Sequence, residues 1–368
     1  MADRILHCVI GNMDIGGIET MLMELYRNID RNKIQFDFVV HKPEENYYEK
    51  EIRQLGGKIF RVPYISKHPF RHCRSFATLL REHPEYKVIH IHTTYSIMFI
   101  DAKIAKKMGR IIIIHSHNSG ANWKRTLVHK CFKKSISEIA DYRVACSEIA
   151  SEWMFEDCKQ KTVQIWQNAF KLDNFLYCKE TREKIRKKNK IEDELIIGFV
   201  GRLSYQKNPE LMIRIFEKMI KKNKQIRLWI VGDGDEKAKI EKLVADFGIQ
   251  SYVAFWGAKP NPNDYMMAFD TFLLTSRWEG YGMVLVEAQA AGLPVVIPEH
   301  TDNAVKLTDN VYVVHQYKNL DEWISKIQDS SKGKIDREQQ CRIVQKSVKD
   351  IQIQTELVQN YYMKILGR

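Results

Sequence analysis

Short apolar runs alternate along the chain with segments whose apolar positions recur every three or four residues. "RILHCVIG" (Arg4–Gly11) and "QFDFVVH" (Gln35–His41) read as strands, and "ETMLMELYRNI" (Glu19–Ile29) between them has helical spacing. "YYEKEIRQLGG" reads as a helix closed by Gly56 and Gly57. Further strands are predicted at "KVIHIHT" (Lys87–Thr93), "RIIIIHSHN" (Arg110–Asn118) and "DYRVACS" (Asp141–Ser147), with helices between them. A run such as "IIIIH" is apolar on both faces, which fits a parallel sheet covered on both sides.

The rhythm stops at "CKETREKIRKKNKIEDE" (Cys178–Glu194), which is highly charged, shows no face to bury, and reads as a linker. It then restarts with "LIIGFVGRL" as a strand, "NPELMIRIFEKMIKK" as a helix, "IRLWIVGDG" as a strand and "DEKAKIEKLVADFG" as a helix. "YVAFWG", "TFLLTS" and "LPVVIP" are further short strands, and the stretch from Arg337 is helical by pattern. The expectation is an α/β chain of two Rossmann-like, doubly wound halves. Phosphate-bearing ligands of such sheets sit beyond the strands' carboxyl ends, near helix N-termini.

The length of 368 residues suits two domains, and 44% hydrophobic with 28% charged residues is an ordinary globular balance. No apolar run reaches the ~18 residues of a membrane span, and the N-terminus lacks a signal-peptide pattern. Seven scattered cysteines without a C-x-x-C pair argue for reduced thiols, so a cytoplasmic location is expected. The net charge of +12 fits nucleic acid, an anionic membrane surface or a phosphate-bearing substrate. Nucleic acid is the weakest of these, because no zinc-finger, aromatic or basic-tail signature is present.

Three segments could carry chemistry. In "GFVGRLSYQKNPELMI" a strand ends at Gly201, and Arg202 and Lys207 lie in the loop before a helix that Asn208 or Pro209 starts. Such cations could neutralise a diphosphate, or could simply be solvated surface charges. In "IVGDGDE" Gly232 and Gly234 could admit a ligand to the backbone or form a plain tight turn. In "SRWEGYGMVLVEAQAAGLPVVIP" the turn Glu279-Gly280-Tyr281-Gly282 precedes a helix from about Met283 to Ala291, which carries Glu287 between Val286 and Ala288. A carboxylate so placed needs a hydroxyl or a cation as partner. Sugar hydroxyls suit both glutamates; a capping glutamate plus a structural salt bridge is the plainer alternative. A two-carboxylate glycosidase fits poorly, since it needs neither two such halves nor a cationic pair.

These residues resemble a known family. "GRL-x₃-K-N" followed by "E-G-Y-G-x₄-E-A-x₃-G-x-P-V-V" is similar to the GT-B glycosyltransferases of family 4, retaining and metal-independent, whose signature is the E-x₇-E spacing of Glu279 and Glu287. "MDIGGIET", "HIHTTY", "IIHSHN", "ADYRVACSEIASEWM" and "QNAFKLDNF" extend the resemblance over nearly the whole chain, closest to the EpsF-like transferases of exopolysaccharide and capsule clusters. Two departures are Ala169, where the family usually has glycine, and "EHTDNAVKLTDNVYVV" after Pro298.

The resemblance implies two Rossmann-like domains facing an interdomain cleft. Residues 1–172 would bind the acceptor, residues 173–350 would bind a nucleotide-sugar donor, and a helix at about 351–368 would return to the first. It also implies roles. Arg202 and Lys207 would hold the donor diphosphate and stabilise the leaving nucleotide. Glu279 and the amides of Gly280, Tyr281, Gly282 and Met283 would hold the sugar, Glu287 the ribose, and Lys259 the base. Gly16, Gly17 and Gly232 would let backbone approach the donor, and His117 would face the sugar.

His90, His92, His115 and His117 all lie near strand ends. Histidines at i, i+2 share a strand face, but no nearby carboxylate completes a ligand set, and D-x-D is absent; no metal or other cofactor is expected. A UDP-sugar is the expected donor, and a glycan or undecaprenyl-diphosphate-linked acceptor the expected second substrate. "NWKRTLVHKCFKK" (Asn122–Lys134) and "HPFRHCRSF" (His68–Phe76) are basic and partly apolar, which suits a peripheral membrane surface or an ordinary packed helix. Rival classes are a GT-B-fold UDP-sugar epimerase and a non-catalytic nucleotide-sugar-binding subunit of a polysaccharide assembly.

Overall fold

A computed structural model describes residues 2–156, 162–169, 172–259, 261–333, 335–348 and 350–368. Of the segment Gln167–Phe175, Phe170 and Lys171 lie outside the described residues. The chain divides into two compact units, Met1–Lys171 with Lys349–Arg368, and Leu172–Val348.

The first unit alternates strand and helix: β1 (Asp3–Val9), α1 (Gly17–Asn28), β2 (Ile34–Val40), α2 (Glu49–Gln54), β3 (Ile59–Arg61), α3 (Pro69–Glu82) and β4 (Val88–Thr93). It continues through α4 (Phe99–Lys107), β5 (Ile111–Ser116), α5 (Trp123–Ile139), β6 (Tyr142–Ala145), α6 (Glu148–Met154) and β7 (Val163–Ile165). The seven strands form a parallel sheet ordered β3-β2-β1-β4-β5-β6-β7. Leu6, Cys8, Ile89, Ile91, Ile112 and Ile114 build the apolar core on one face.

The second unit runs α7 (Lys179–Lys188), β8 (Leu195–Val200), α8 (Pro209–Ile220), β9 (Ile226–Val231), α9 (Lys237–Asp246), β10 (Val253–Gly257) and α10 (Pro262–Ala268). Then come β11 (Thr271–Leu273), α11 (Met283–Ala290), β12 (Val295–Pro298), β13 (Val311–Val314), α12 (Leu320–Ser330) and α13 (Arg337–Ser347). Its parallel sheet is ordered β10-β9-β8-β11-β12-β13. The last helix, α14 (Ile351–Ile365), belongs to the first unit, where Gln359 accepts from the Asp30 amide and Tyr362 is buried. No described helix is long and apolar enough to cross a membrane.

The charged segment Cys178–Glu194 is not a plain linker. Ten of its residues form α7, which buries no residue fully. It is held by its arginines: Arg182 donates to the carbonyls of Met267, Ala268 and Phe269, and both Arg182 and Arg186 pair with Asp270. Long side chains can anchor a helix in this way without an apolar stripe. The atypical segment after Pro298 is tied to α11 by buried Gln289, which donates to Val305 O and accepts from the Leu307 and Thr308 amides.

Candidate functional site

In the second unit the winding reverses between β8 and β11, which are neighbours while their successors build outward in opposite directions. The loops leaving two such strands diverge, and a crevice opens at their carboxyl ends. Here those loops are residues 201–208 and 274–282.

Lys207 and Glu279, one from each loop, meet at this point. Lys207 Nζ donates to Glu279 Oε1 at 2.6 Å, and the two side chains are only 16% and 9% exposed. The lysine stem runs beside Gly201, where a Cβ would stand 3.6 Å from its Cε. Glu287 lies beyond the first turn of α11, and its carboxyl makes no hydrogen bond among the described residues. Dehydration pushes its pKa up to about 7, and the nearby Lys207 charge acts in the opposite sense. One ammonium therefore serves two carboxyl groups. Glu279 pairs with a cation of the chain itself, the structural salt bridge that the sequence left open beside sugar hydroxyls.

A lattice of polar contacts fixes the two loops. Thr275 Oγ1 donates to the carbonyls of Lys207 and Asn208, each at 3.1 Å. Asn208 caps α8 at φ +50°, a left-handed conformation that asparagine tolerates. Its Nδ2 donates to Tyr317 Oη, which donates to Thr275 O, both at 2.7 Å. Arg277 donates through Nη2 to Asn208 Oδ1 at 2.8 Å and lies 4.4 Å over the Tyr205 ring. Sequence reasoning did not single out Thr275, Arg277 or Tyr317. Tyr317 lies 42 residues from its acceptor, Thr275, so no local pattern marks it.

The structure thus brings together Lys207, Glu279, Glu287 and the turn of Gly280, Tyr281, Gly282 and Met283. Gly282, at φ +78°, caps α11. Arg202 lies on the same loop as Lys207, is exposed, and forms no ion pair among the described residues. The room at Gly232 serves the chain rather than standing open. At φ +143° a Cβ there would lie 1.9 Å from Gly201 O, and at Gly234 2.2 Å from Leu203 O, so both glycines let the end of β9 pack on the β8 loop. Lys259 lies apart, just past the edge strand β10.

The first unit has its own reversal point, between β1 and β4. Gly16 and Gly17 open α1 after β1, and a Cβ on Gly16 would lie 2.4 Å from Glu19 Oε2. His117 follows β5. Its Nε2 lies 2.9 Å from His92 Nδ1, and His92 Nε2 lies 2.9 Å from His7 Nδ1. Dehydration holds His117 and His7 down to about 3 and keeps His90, His92 and His115 well below the usual histidine range, so all five imidazoles are neutral at pH 7. His7 was missed in the sequence because it stands alone in β1; its register partner is His90.

Comparison with known proteins agrees with this geometry. The family model described as "Glycosyltransferase Family 4" matches residues 15–174, and that described as "Glycosyl transferases group 1" matches residues 181–347. The putative glycosyltransferase EpsF of Bacillus subtilis is 33% identical over 305 residues, covering 80% of this chain and 79% of EpsF. Among solved structures, sucrose-phosphate synthase of Thermosynechococcus elongatus superimposes with a TM-score of 0.80 at 18% identity over 99% of both chains. Anabaena HepE, solved in complex with UDP-glucose, does so with a TM-score of 0.77 at 17% identity, over 98% of this chain and 99% of HepE. Two Rossmann-like units, both family models and close kinship with EpsF together establish that the chain belongs to the GT-B glycosyltransferases of family 4.

Proposed function

We propose that the chain transfers a hexosyl unit from a nucleotide-diphosphate sugar, a UDP-sugar, to a hydroxyl of a lipid-linked glycan in exopolysaccharide or capsule synthesis. The observation that carries this reading is the placement of Lys207, Glu279 and Glu287 at the reversal point of the second sheet. Lys207 and Arg202 neutralise the donor diphosphate, with help from amides at the start of α11. Glu279 and Glu287 then accept from hydroxyls of the sugar and the ribose. HepE, whose fold this chain shares, was solved with UDP-glucose, which supports the donor class.

In the reaction the bond between the anomeric carbon and the diphosphate oxygen breaks, and a bond to the acceptor oxygen forms on the same face. The acceptor proton passes to the departing phosphate oxygen. Lys207 and Arg202 stabilise the charge that develops there, so the donor side of this mechanism runs without a metal ion. His117 is assigned to the sugar, Gly16 and Gly17 to close backbone approach, and Lys259 to the base.

For the acceptor, the support is the surface of the first unit. On α5, Trp123 is 70% and Leu127 56% exposed, beside Lys124, Arg125, Lys130 and Lys134, and on α3 Phe70 is 90% exposed. Val128 and Phe132 are partly packed, Phe132 against Phe99, so the apolar contribution of α5 narrows to Trp123 and Leu127. Exposed aromatics among cations suit an anionic leaflet carrying a lipid diphosphate.

The test is calorimetry with UDP, GDP, ADP and UDP-sugars, without added metal, on wild type and Arg202→Ala. UDP binding that the substitution weakens supports the reading. Absence of binding by every nucleotide overturns it.

A further inference from the structure

We propose that His7 is a positioning residue for His117: acting through His92, it fixes which nitrogen of the His117 ring carries the proton, so that this ring offers an Nδ1–H to its surroundings. The relay stands on the first unit alone. That the N–H meets an oxygen of the transferred sugar rests on the function proposed above.

The sheet puts the three rings in line. His7 in β1 and His92 in β4 stand on adjacent strands, and His117 follows β5, the strand on the other side of β4. His117 Nε2 lies 2.9 Å from His92 Nδ1, and His92 Nε2 lies 2.9 Å from His7 Nδ1. His92 thus uses both nitrogens in the two links. The neighbouring histidines stay outside the line. His90 turns Nδ1 to Tyr362 Oη at 2.6 Å, and neither buried nitrogen of His115 has a hydrogen-bond partner among the described residues. His115 instead packs on His117, with ring centroids 3.9 Å apart, which restrains the outer ring from swivelling.

Dehydration keeps all three rings neutral at pH 7, so each has one N–H and one bare nitrogen. A link needs one proton between its two nitrogens. Two links in series then admit only two arrangements: every ring protonated on Nδ1, or every ring protonated on Nε2. The inner end decides between them. His7 Nε2 is buried with no hydrogen-bond partner among the described residues, and the Phe36 ring centroid lies 4.2 Å from that of His7. The second arrangement buries an N–H there without an acceptor; the first leaves a bare nitrogen. Orphaned buried N–H groups are the rarer of the two in folded proteins, which favours the first. The outer end imposes no such choice. His117 is partly exposed, and its Nδ1 makes no hydrogen bond among the described residues, so water or a ligand satisfies it in either form.

The protons therefore point outward along the line. His7 Nδ1–H donates to His92 Nε2, His92 Nδ1–H donates to His117 Nε2, and His117 Nδ1–H remains to donate beyond the protein. A ring held this way gives a hydrogen and accepts none. It pairs with an oxygen lone pair of a sugar and not with a hydroxyl hydrogen.

The experiment uses the full chain with ¹⁵N-labelled histidine. Long-range proton–nitrogen NMR spectra separate protonated from bare ring nitrogens, and His117→Ala assigns the outer ring. The expected result is Nδ1–H with bare Nε2 on both His92 and His117, the opposite of the Nε2–H form that an unconstrained neutral histidine favours. His7→Phe should mix or reverse the pattern at His117. His7→Asn, whose amide nitrogen replaces Nδ1, should keep it. By calorimetry His7→Phe should weaken UDP-glucose roughly 3- to 10-fold and leave UDP, which lacks the sugar, within about twofold; His7→Asn should restore UDP-glucose. Nε2–H on His117 of the wild type overturns the proposal. So does a pattern that His7→Phe leaves unchanged, or an equal loss of UDP and UDP-glucose affinity. If His7→Phe does not fold, the wild-type spectrum and His7→Asn decide the matter. If the spectra are as expected but His117→Ala leaves UDP-glucose affinity unchanged, the assignment of His117 to the sugar falls and the relay stands.

Discussion

Glu287 offers a sharp test of the site, because the cost of its charge depends on pH in a calculable way. Its pKa in the folded chain is about 7, against 4.5 for the free side chain, and the cause is dehydration on α11. A carboxyl raised on folding contributes no penalty below pH 4.5; stability is then lost as pH rises, and the loss levels off above pH 7. At ~1.4 kcal/mol per tenfold change, the penalty is about 3 kcal/mol at pH 8 and under about 1 kcal/mol at pH 5. These are ceilings, since the side chain keeps some solvent contact. Glu287→Gln removes the charge and keeps the shape. The variant should therefore exceed wild type in stability by up to ~3 kcal/mol at pH 8 and by less than ~1 kcal/mol at pH 5. Urea unfolding followed by tryptophan fluorescence at the two pH values reads this difference. Comparing the two proteins at each pH cancels every other titrating group. An advantage for Glu287→Gln that is equal at pH 5 and pH 8 would refute the reasoning. UDP affinity measured on the same samples should fall, since glutamine accepts from a ribose diol less well than a carboxylate does.

Lys207→Ala removes the cation paired with buried Glu279 and should lower stability by ~2–4 kcal/mol in urea titrations; it should also raise the Glu287 pKa further, read by the pH at which stability changes, because Lys207 now holds it down. Lys207→Met with Glu279→Gln should recover much of that stability but none of the UDP binding. Arg202→Ala should leave stability within ~0.5 kcal/mol, since the side chain is exposed, yet weaken UDP binding roughly 10- to 100-fold by calorimetry. Gly232→Ala drives a Cβ into Gly201 O at φ +143° and should cost at least ~2 kcal/mol in thermal unfolding, with the loop of Lys207 displaced and donor affinity reduced.

Much of the fold was legible because each β-α repeat is a local pattern: the restart at Leu195, Asn208–Pro209 at the start of α8, and the helix opening at Met283 all stand where periodicity and cap residues put them. What escaped depends on pairing across distance. Lys207 and Glu279 are 72 residues apart, and nothing near either one announces an ion pair. The helix α7 was missed because its anchors are guanidinium groups reaching carbonyls about 85 residues away, which leave no apolar stripe to read. The i, i+2 histidines of β4 and β5 were visible, but their meeting with His7 needed the strand order β1-β4-β5, which no single strand encodes.

The last helix also sets a timetable. During synthesis the first 171 residues emerge with the rest of their own unit still unmade, because α14 follows the whole second unit in the chain. Until α14 arrives, His90 lacks its 2.6 Å contact with Tyr362, and Asp30 lacks Gln359. The nascent first unit therefore waits, incomplete, while the second folds as one continuous stretch. A chain truncated before Ile351 should hold a protease-resistant second unit and a protease-sensitive first one, and a fragment ending at residue 171 should need the α14 peptide supplied in trans to become compact.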